Sequence, residues 1–553
     1  METPVWFGRP GVPLLGWLDA PDDGQARAGV VLCPALLGEH VNAYRSFRRL
    51  SAALVARDCA VLRFDYESTG DSAGRDEGDG RVAAWQDSVV AAVELLRARG
   101  VEQVAVVGLR IGATLAAVTS PRTSPQALVL WDPCVSGRAF LREQRALMSF
   151  GVGDQTDLDG VTRAGGDGGL AAGTEEELAQ LTMLDVAPDA TRPTLVLARE
   201  NRPVPRALRE RFAHASWRPA SDQAAMLEVS SVLARSPEPA IAEIVDWLDA
   251  TLAADRHTLD VSSAPEATIG VAADGTPVLE RVARLGAHGL VGLVTAPVGA
   301  PRTGTTVVFL NLAAERHTGP ERAWVDLSRL LAPQGLRCLR FDLSGMGDSP
   351  TPPGQPEDDA YPRVAVADVI EAVGAVADDP RDVVLVGVCS GAIHALEGAA
   401  ALRARGVVAI NPPVEHERPA ADDAAGTRGR VTGSSPGWVR GLGNTRLLAK
   451  LESRIPDPFW WFLHKVRLVR SPAAGIGMLV AAGTGTYLMC GPAEIRPFRE
   501  RSGTQLRSLG RSEQFRLDVV EGLDHSLLRR EPRDRALALL LEHLASRYAP
   551  APV

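Results

Sequence analysis

Lysine is almost missing from this chain: Lys450 and Lys465 are the only two among 553 residues, and arginine carries the rest of the positive charge. With abundant alanine, glycine and proline, this is the composition expected of a GC-rich bacterial genome. Cysteine is scarce as well: Cys33, Cys59, Cys134, Cys338, Cys389 and Cys490 are far apart, with no CxxC pair. That excludes a disulfide framework, argues against a zinc site, and leads to the expectation of free thiols in a reducing cytoplasm. No motif asks for a metal or a cofactor. No apolar run reaches the roughly 18 residues of a membrane span. The first residues lack the basic start, apolar run and small-residue cleavage site of a secretory signal. A net charge of -9 without any basic run argues against a nucleic-acid partner. What remains is ordinary for globular protein, 45% hydrophobic and 23% charged, in a chain too long for one core.

Self-similarity organises the chain. Val61-Leu-Arg-Phe-Asp-Tyr-Glu-Ser-Thr-Gly-Asp-Ser72 matches Cys338-Leu-Arg-Phe-Asp-Leu-Ser-Gly-Met-Gly-Asp-Ser349, with Asp65 and Asp342 separated by 277 positions. The same spacing relates His40 to His317 and Arg45 to Arg322. Val107-Gly-Leu-Arg-Ile-Gly-Ala113 matches Val386-Gly-Val-Cys-Ser-Gly-Ala392, now 279 apart, as are Asp132-Pro133 and Asn411-Pro412. Four blocks in the same order predict two homologous domains, 1–256 and 257–553, joined near 255–265.

Short aliphatic runs alternate with helical spacing in both halves. In the second half, strands are expected at 305–311, 336–342, 383–387 and 407–411, and helices at 322–333, 364–376 and 390–405. Such runs read as strands buried on both faces, and alternating βα units imply a mostly parallel, doubly wound sheet. Runs at 267–272, 277–284 and 290–295 fit an antiparallel edge. An insert at 414–483 carries Trp438, Phe459, Trp460, Trp461, Phe462 and His464, and is too long for a plain loop. It reads as a helical cap, with Trp438, Trp460 and Trp461 as candidates to line an apolar acyl pocket. The matching insert at 138–188, with Gly165-Gly-Asp-Gly-Gly169, reads as a flexible loop.

Gly387-Val388-Cys389-Ser390-Gly391 sits between an aliphatic strand and a helical stretch. A nucleophile at such a strand–turn–helix elbow needs small residues two positions before and after it, because side chains there would collide. Both are glycine, and the apex is Cys389. A thiol at a helix N-terminus is activated by the dipole and by a histidine partner. Two other readings exist. Cys389 can be a buried residue in a Gly-rich turn with Ser390 capping the helix. Ser390 can be the nucleophile out of register, but that places Val388 where glycine is wanted.

These blocks resemble the α/β-hydrolase superfamily. The nearest likeness is to the exosortase-system-associated hydrolases and serine-aminopeptidase-like families, carried by 311–322, 340–349, 387–392 and 491–498. It covers most of 300–550 and, in degenerate form, 25–250. The Gly-x-Cys-x-Gly elbow alone is also similar to dienelactone hydrolases and polyhydroxyalkanoate synthases. Taken with the internal repeat, the resemblance implies two α/β-hydrolase domains, each with an inserted cap, a tandem arrangement that departs from a plain single-domain hydrolase. It puts the base after the last strand, where His525 follows the 515–519 run, and the orienting acid after the preceding strand, where Glu494 stands. Asp524 is the neighbouring alternative. The oxyanion hole falls to the backbone N–H groups of Ser390 and Ala313, with Leu312 next in line. His317 and Arg322, repeated as His40 and Arg45, read as loop braces or as contacts to a substrate carboxylate.

The first half lacks this set. Arg110 replaces the nucleophile, Arg202 falls in the acid position, and Ser221-Asp-Gln-Ala-Ala225 offers no histidine. A non-catalytic domain is expected there, with an anion contact by Arg110 as the sharper alternative. For the second half the sequence predicts hydrolysis of an ester, thioester or amide through a Cys389 thioester. Acyl transfer to an amine or alcohol, and a non-catalytic scaffold, are the alternatives. The partner implied is a small acyl substrate, free or carrier-bound; oligomeric state is left open.

Overall fold

The computed structural model describes residues 1–75, 79–150, 170–187, 189–300, 304–413 and 472–550. Two large sheets repeat one plan. In the first half, β1 (Glu2–Phe7), β2 (Leu14–Asp19), β4 (Ala28–Cys33), β5 (Cys59–Phe64), β6 (Val104–Leu109), β7 (Ala127–Trp131), β8 (Thr194–Ala198) and β9 (Ser216–Pro219) stand in the order β1-β2-β5-β4-β6-β7-β8-β9. β3 (Gln25–Ala26) and β10 (His257–Thr258) form a separate ribbon.

In the second half, β11 (Glu266–Val271), β12 (Pro277–Leu285), β13 (Leu290–Pro297), β14 (Thr306–Phe309), β15 (Arg337–Phe341), β16 (Val383–Val388), β17 (Gly406–Ile410), β18 (Gly485–Cys490) and β19 (Phe515–Val519) stand in the order β11-β12-β13-β15-β14-β16-β17-β18-β19. Apart from the extra β11, the two orders superpose strand for strand. The edge hairpins are antiparallel, and all pairs from β5 to β9 and from β15 to β19 are parallel. The fold is therefore α/β with mostly parallel sheets, as the alternation of aliphatic runs predicts. The central strands β4, β6, β16 and β17 are buried at every position, because helices cover both faces.

The expected strands and helices of the second half all occur, with ends moved by a few residues. The helix after the elbow stops at Leu402, where Arg403 turns left-handed, and the last helix is longer than its apolar stripe, Arg530–Tyr548. The joint at 255–265 is not a free linker: Thr258 pairs with Gln25, and the Ala264 carbonyl accepts from the Trp6 N–H at 2.8 Å. Trp6, Leu15 and Trp17 of the first hairpin pack with Val282, Val291 and Leu293 of the second in one shared apolar cluster.

One expectation needs correcting. The insert at 138–188 contains helices Gly137–Phe150 and Ala172–Gln180, not only a loop. Phe140, Leu141, Leu178 and Met183 anchor it in the core, supplying the apolar burial that a free loop lacks. Its Gly165–Gly169 stretch lies outside the described residues, as do Trp438, Trp460, Trp461 and most of the 414–483 insert. The described end of that insert is the helix Pro472–Ala481, with Ala473 and Ile476 packed on the sheet. Among the described residues no helix is long and apolar enough to cross a membrane, and no cluster of three or more His, Cys, Asp or Glu could hold a metal.

Candidate active site

Cys389 lies between β16 and the helix Ser390–Leu402, with φ 52° and ψ -117°. An L-residue pays for that backbone, and such strain collects at functional turns. The flanking glycines show what the turn requires. A Cβ on Gly387 would collide with the Gly391 carbonyl, and one on Gly391 with the Asn311 carbonyl. The register with Cys389 at the apex is thus imposed by backbone contacts. Its N–H donates to the Ile410 carbonyl at 3.0 Å, and its carbonyl accepts from Ala392 at 3.0 Å. Cys389 is 3% exposed, in an apolar cluster with Leu312, Ala313, Leu523 and Leu527.

His525 follows β19 and is 4% exposed. Its Nδ1 lies 3.1 Å from Glu494 Oε1, at the start of the helix Pro492–Leu509. The approach is close but lacks hydrogen-bond alignment, and neither ring nitrogen has a hydrogen-bond partner among the described residues. Burial works against the imidazolium, but Cys389 and Glu494 outweigh it and raise the pKa from 6.5 to about 10. Asp524 is engaged elsewhere: its carboxylate accepts from the N–H groups of Ser526, Leu528 and Arg529 at 3.2, 2.9 and 2.8 Å.

Ser390 opens the helix and is 1% exposed; its Oγ accepts from the Ala313 N–H at 2.9 Å. Ala313 itself is left-handed, φ 48°. The loop amide and the elbow therefore face each other, bridged by a hydroxyl that can rotate.

Asn411, at the end of β17, is a site residue that the sequence reading passed over. Its Nδ2 donates to the Asp524 and His525 carbonyls at 2.9 and 3.0 Å, and its Oδ1 accepts from the Gly491 N–H at 2.9 Å. One side chain ties the loop carrying the histidine to the loop carrying the glutamate. The signal was its recurrence as Asp132 at the end of the equivalent strand.

In the first half the same turn carries Arg110, with φ 56° and ψ -120°. Its guanidinium meets Glu39 at 3.1 Å, Asp132 at 3.1 Å, and Glu143. Burial opposes the charge, but Cys134 and these carboxylates hold it firmly protonated. Gln223, in the base position, donates to Asp132, and Arg202 pairs with Glu143 at 3.0 Å. Arg110 is already saturated with anions.

A cavity of about 950 Å³ adjoins the site. Leu312, Ala313, Ser526 and Leu528 line it from one half, Leu36, Leu37 and Leu227 from the other. Cys389 and His525 are not among the described residues on its wall; their neighbours are. The chemistry therefore locates the site, and the cavity is the space next to it.

Residues 307–539 match the Alpha/beta hydrolase family. No curated protein matches the chain. Solved structures similar to it include an α/β serine hydrolase without lid from Xanthomonas campestris, at 18% identity over 46% of this chain and 96% of that one, TM-score 0.31. A proline iminopeptidase from Mycobacterium smegmatis is 15% identical over 45% and 98%, TM-score 0.33. An esterase from Pyrococcus furiosus is 16% identical over 46% and 92%, TM-score 0.33. The family match spans Ala313, Cys389, Ser390, Asn411, Glu494 and His525, so the residues gathered above lie within the segment, 307–539, that is similar to the Alpha/beta hydrolase family.

Proposed function

We propose that the C-terminal half, 257–553, is an acyl-processing enzyme that cleaves an ester, thioester or amide through Cys389, His525 and Glu494. The N-terminal half, 1–256, is its non-catalytic twin. The observation that carries this reading is the strained Cys389 turn together with a His525 on which Cys389 and Glu494 both act, Glu494 at 3.1 Å. Cys389 Sγ, its proton passed to His525, attacks the acyl carbon. The carbonyl oxygen becomes an oxyanion that the N–H groups of Ser390 and Ala313 stabilise once the Ser390 hydroxyl turns aside. The leaving alcohol, thiol or amine departs with the proton of His525, and the acyl group stays on sulfur. Water, deprotonated by His525, then releases the acid and regenerates the thiol. Glu494 holds the imidazole orientation throughout.

The burial of Cys389 favours a second outcome. A thioester held in an apolar cluster is shielded from water, so an amine or alcohol that enters competes well for the acyl group.

Iodoacetamide and p-nitrophenyl acetate test the reading together. Both should modify Cys389 selectively, at rates that collapse in His525→Ala. Equal labelling of all six cysteines would sink it. Offering amines to the acetyl-enzyme then separates transfer from hydrolysis.

A further inference from the structure

The loop that carries Ala313 is braced from the other half of the chain. Within its own half, Asn311 Nδ2 donates to Asp342 Oδ1 at 3.0 Å and to the Glu315 carbonyl at 2.9 Å. His317 donates its backbone N–H to Asp342 Oδ1 at 2.7 Å, and its Nδ1 lies 2.8 Å from Asp342 Oδ2. Asp342 thus holds both ends. The outer side is held by the N-terminal half. His317 Nε2 lies 2.9 Å from Asp71 Oδ2, and Arg316 Nη2 donates to Asp65 at 3.2 and 3.1 Å. The Arg316 guanidinium also stacks 4.1 Å over the Tyr44 ring. Asn311, Arg316, His317, Asp342, Asp65 and Asp71 are each under 10% exposed, so the contacts are desolvated and geometrically demanding.

The same interface has a mirror image. Arg340 pairs with Asp71, and its counterpart Arg63, 277 positions earlier, donates to Asp348 at 3.0 Å. Asp348 and Asp71 are also 277 apart. The halves embrace through one contact used twice. Only the Asp71 copy touches the loop carrying Ala313; the Asp348 side chain touches Tyr44, Arg48 and Arg63.

We propose that the N-terminal half, itself without the catalytic set, positions the oxyanion loop of the C-terminal half through Asp71 on His317 and Asp65 on Arg316. Asp71 and Asp65 are positioning residues, and the inference rests on the acyl chemistry proposed for Cys389. It follows from the way an oxyanion hole works: the donor must already point at the developing charge, and a shift of about 1 Å at such a group costs as much as ~100-fold. Alkylation of a thiolate develops no oxyanion and needs no such donor.

Two labels on the full-length protein separate the effects. Acetylation of Cys389 by p-nitrophenyl acetate reads the oxyanion loop, and alkylation by iodoacetamide reads the thiol alone. Asp71→Asn should slow acetylation by about 10- to 100-fold while leaving alkylation within about twofold, with Asp71→Glu recovering part of the loss. Asp65→Asn, acting on Arg316 instead, should give the same split and serves if Asp71→Asn does not fold. Arg284→Gln, which breaks a cross-half pair with Glu2 at 3.1 Å that touches neither Tyr44 nor this loop, should leave the ratio of the two rates at the wild-type value. Equal acetylation in wild type, Asp71→Asn and Asp65→Asn overturns the inference, as does a parallel fall in both labels. A wild-type protein that takes neither label selectively at Cys389 overturns the thiol chemistry itself, and this inference with it.

Discussion

Arg110 and Cys389 hold the same backbone conformation at the same turn of the two halves, φ 56°, ψ -120° and φ 52°, ψ -117°. The turn is therefore a property of the fold, and what it presents depends on the side chain. Cysteine presents a thiol within an apolar cluster. Arginine presents a cation to Glu39, Asp132 and Glu143.

Arg110→Met should destabilise the N-terminal half by about 3 kcal/mol, because three carboxylates lose a buried cation. Glu39 is the worst affected: burial already raises its pKa, and Arg110 is the largest influence holding it down. Adding Glu39→Gln should recover roughly half of the loss. Urea unfolding of the single and double variants measures both, and a silent Arg110→Met would refute the account.

Cys389→Ala should lower the His525 pKa from about 10, because the cysteine is the largest influence raising it. Imidazole NMR of wild type and variant reads this directly. The sign for stability follows. A folded pKa above the unfolded 6.5 adds stability that is fully present below pH 6.5 and is lost as pH rises through about 10. Acyl-enzyme formation should fall at least ~10³-fold in the same variant.

Gly387→Ala and Gly391→Ala should each cost about 2 kcal/mol or more, since the added carbon meets backbone that cannot move away. Gly374→Ala is the contrast. It lies inside the helix Ala365–Val376 with no atom beyond its own stretch of helix within 4 Å of the new methyl, so it should stabilise by about 0.5–1 kcal/mol. Thermal unfolding of the three proteins tests whether the elbow glycines are sterically required.

His317 should make the protein alkali-sensitive. Burial disfavours its charge, but Asp342 and Asp71 raise the pKa to about 10. That stabilisation is complete below pH 6.5 and disappears as pH passes about 10, a change on the order of a few kcal/mol. The urea midpoint of wild type should therefore fall between pH 8 and pH 10.5 more steeply than that of His317→Gln. Parallel curves would show that His317 is neutral between its two aspartates.

The sequence by itself determined the repeated blocks, the α/β class and the glycine-flanked turn at Cys389. Each rests on local or repeated pattern: aliphatic runs at strand length, blocks recurring 277 and 279 positions apart, and glycines flanking Cys389 in a turn that admits no Cβ. His525 and Glu494 stand after the last two strands, where the resemblance puts a base and an acid, and the structure brings them within 3.1 Å of each other. Only the tertiary structure decided the rest. Asn411 reaches Gly491 and His525, 80 and 114 positions away, and His317 reaches Asp71 across 246. No periodicity encodes partners at such separations, since they are set by how strand ends converge and how the halves pack. The helical part of the 138–188 insert was missed for the same reason: Phe140 and Leu178 stabilise it through a core that its own composition does not reveal.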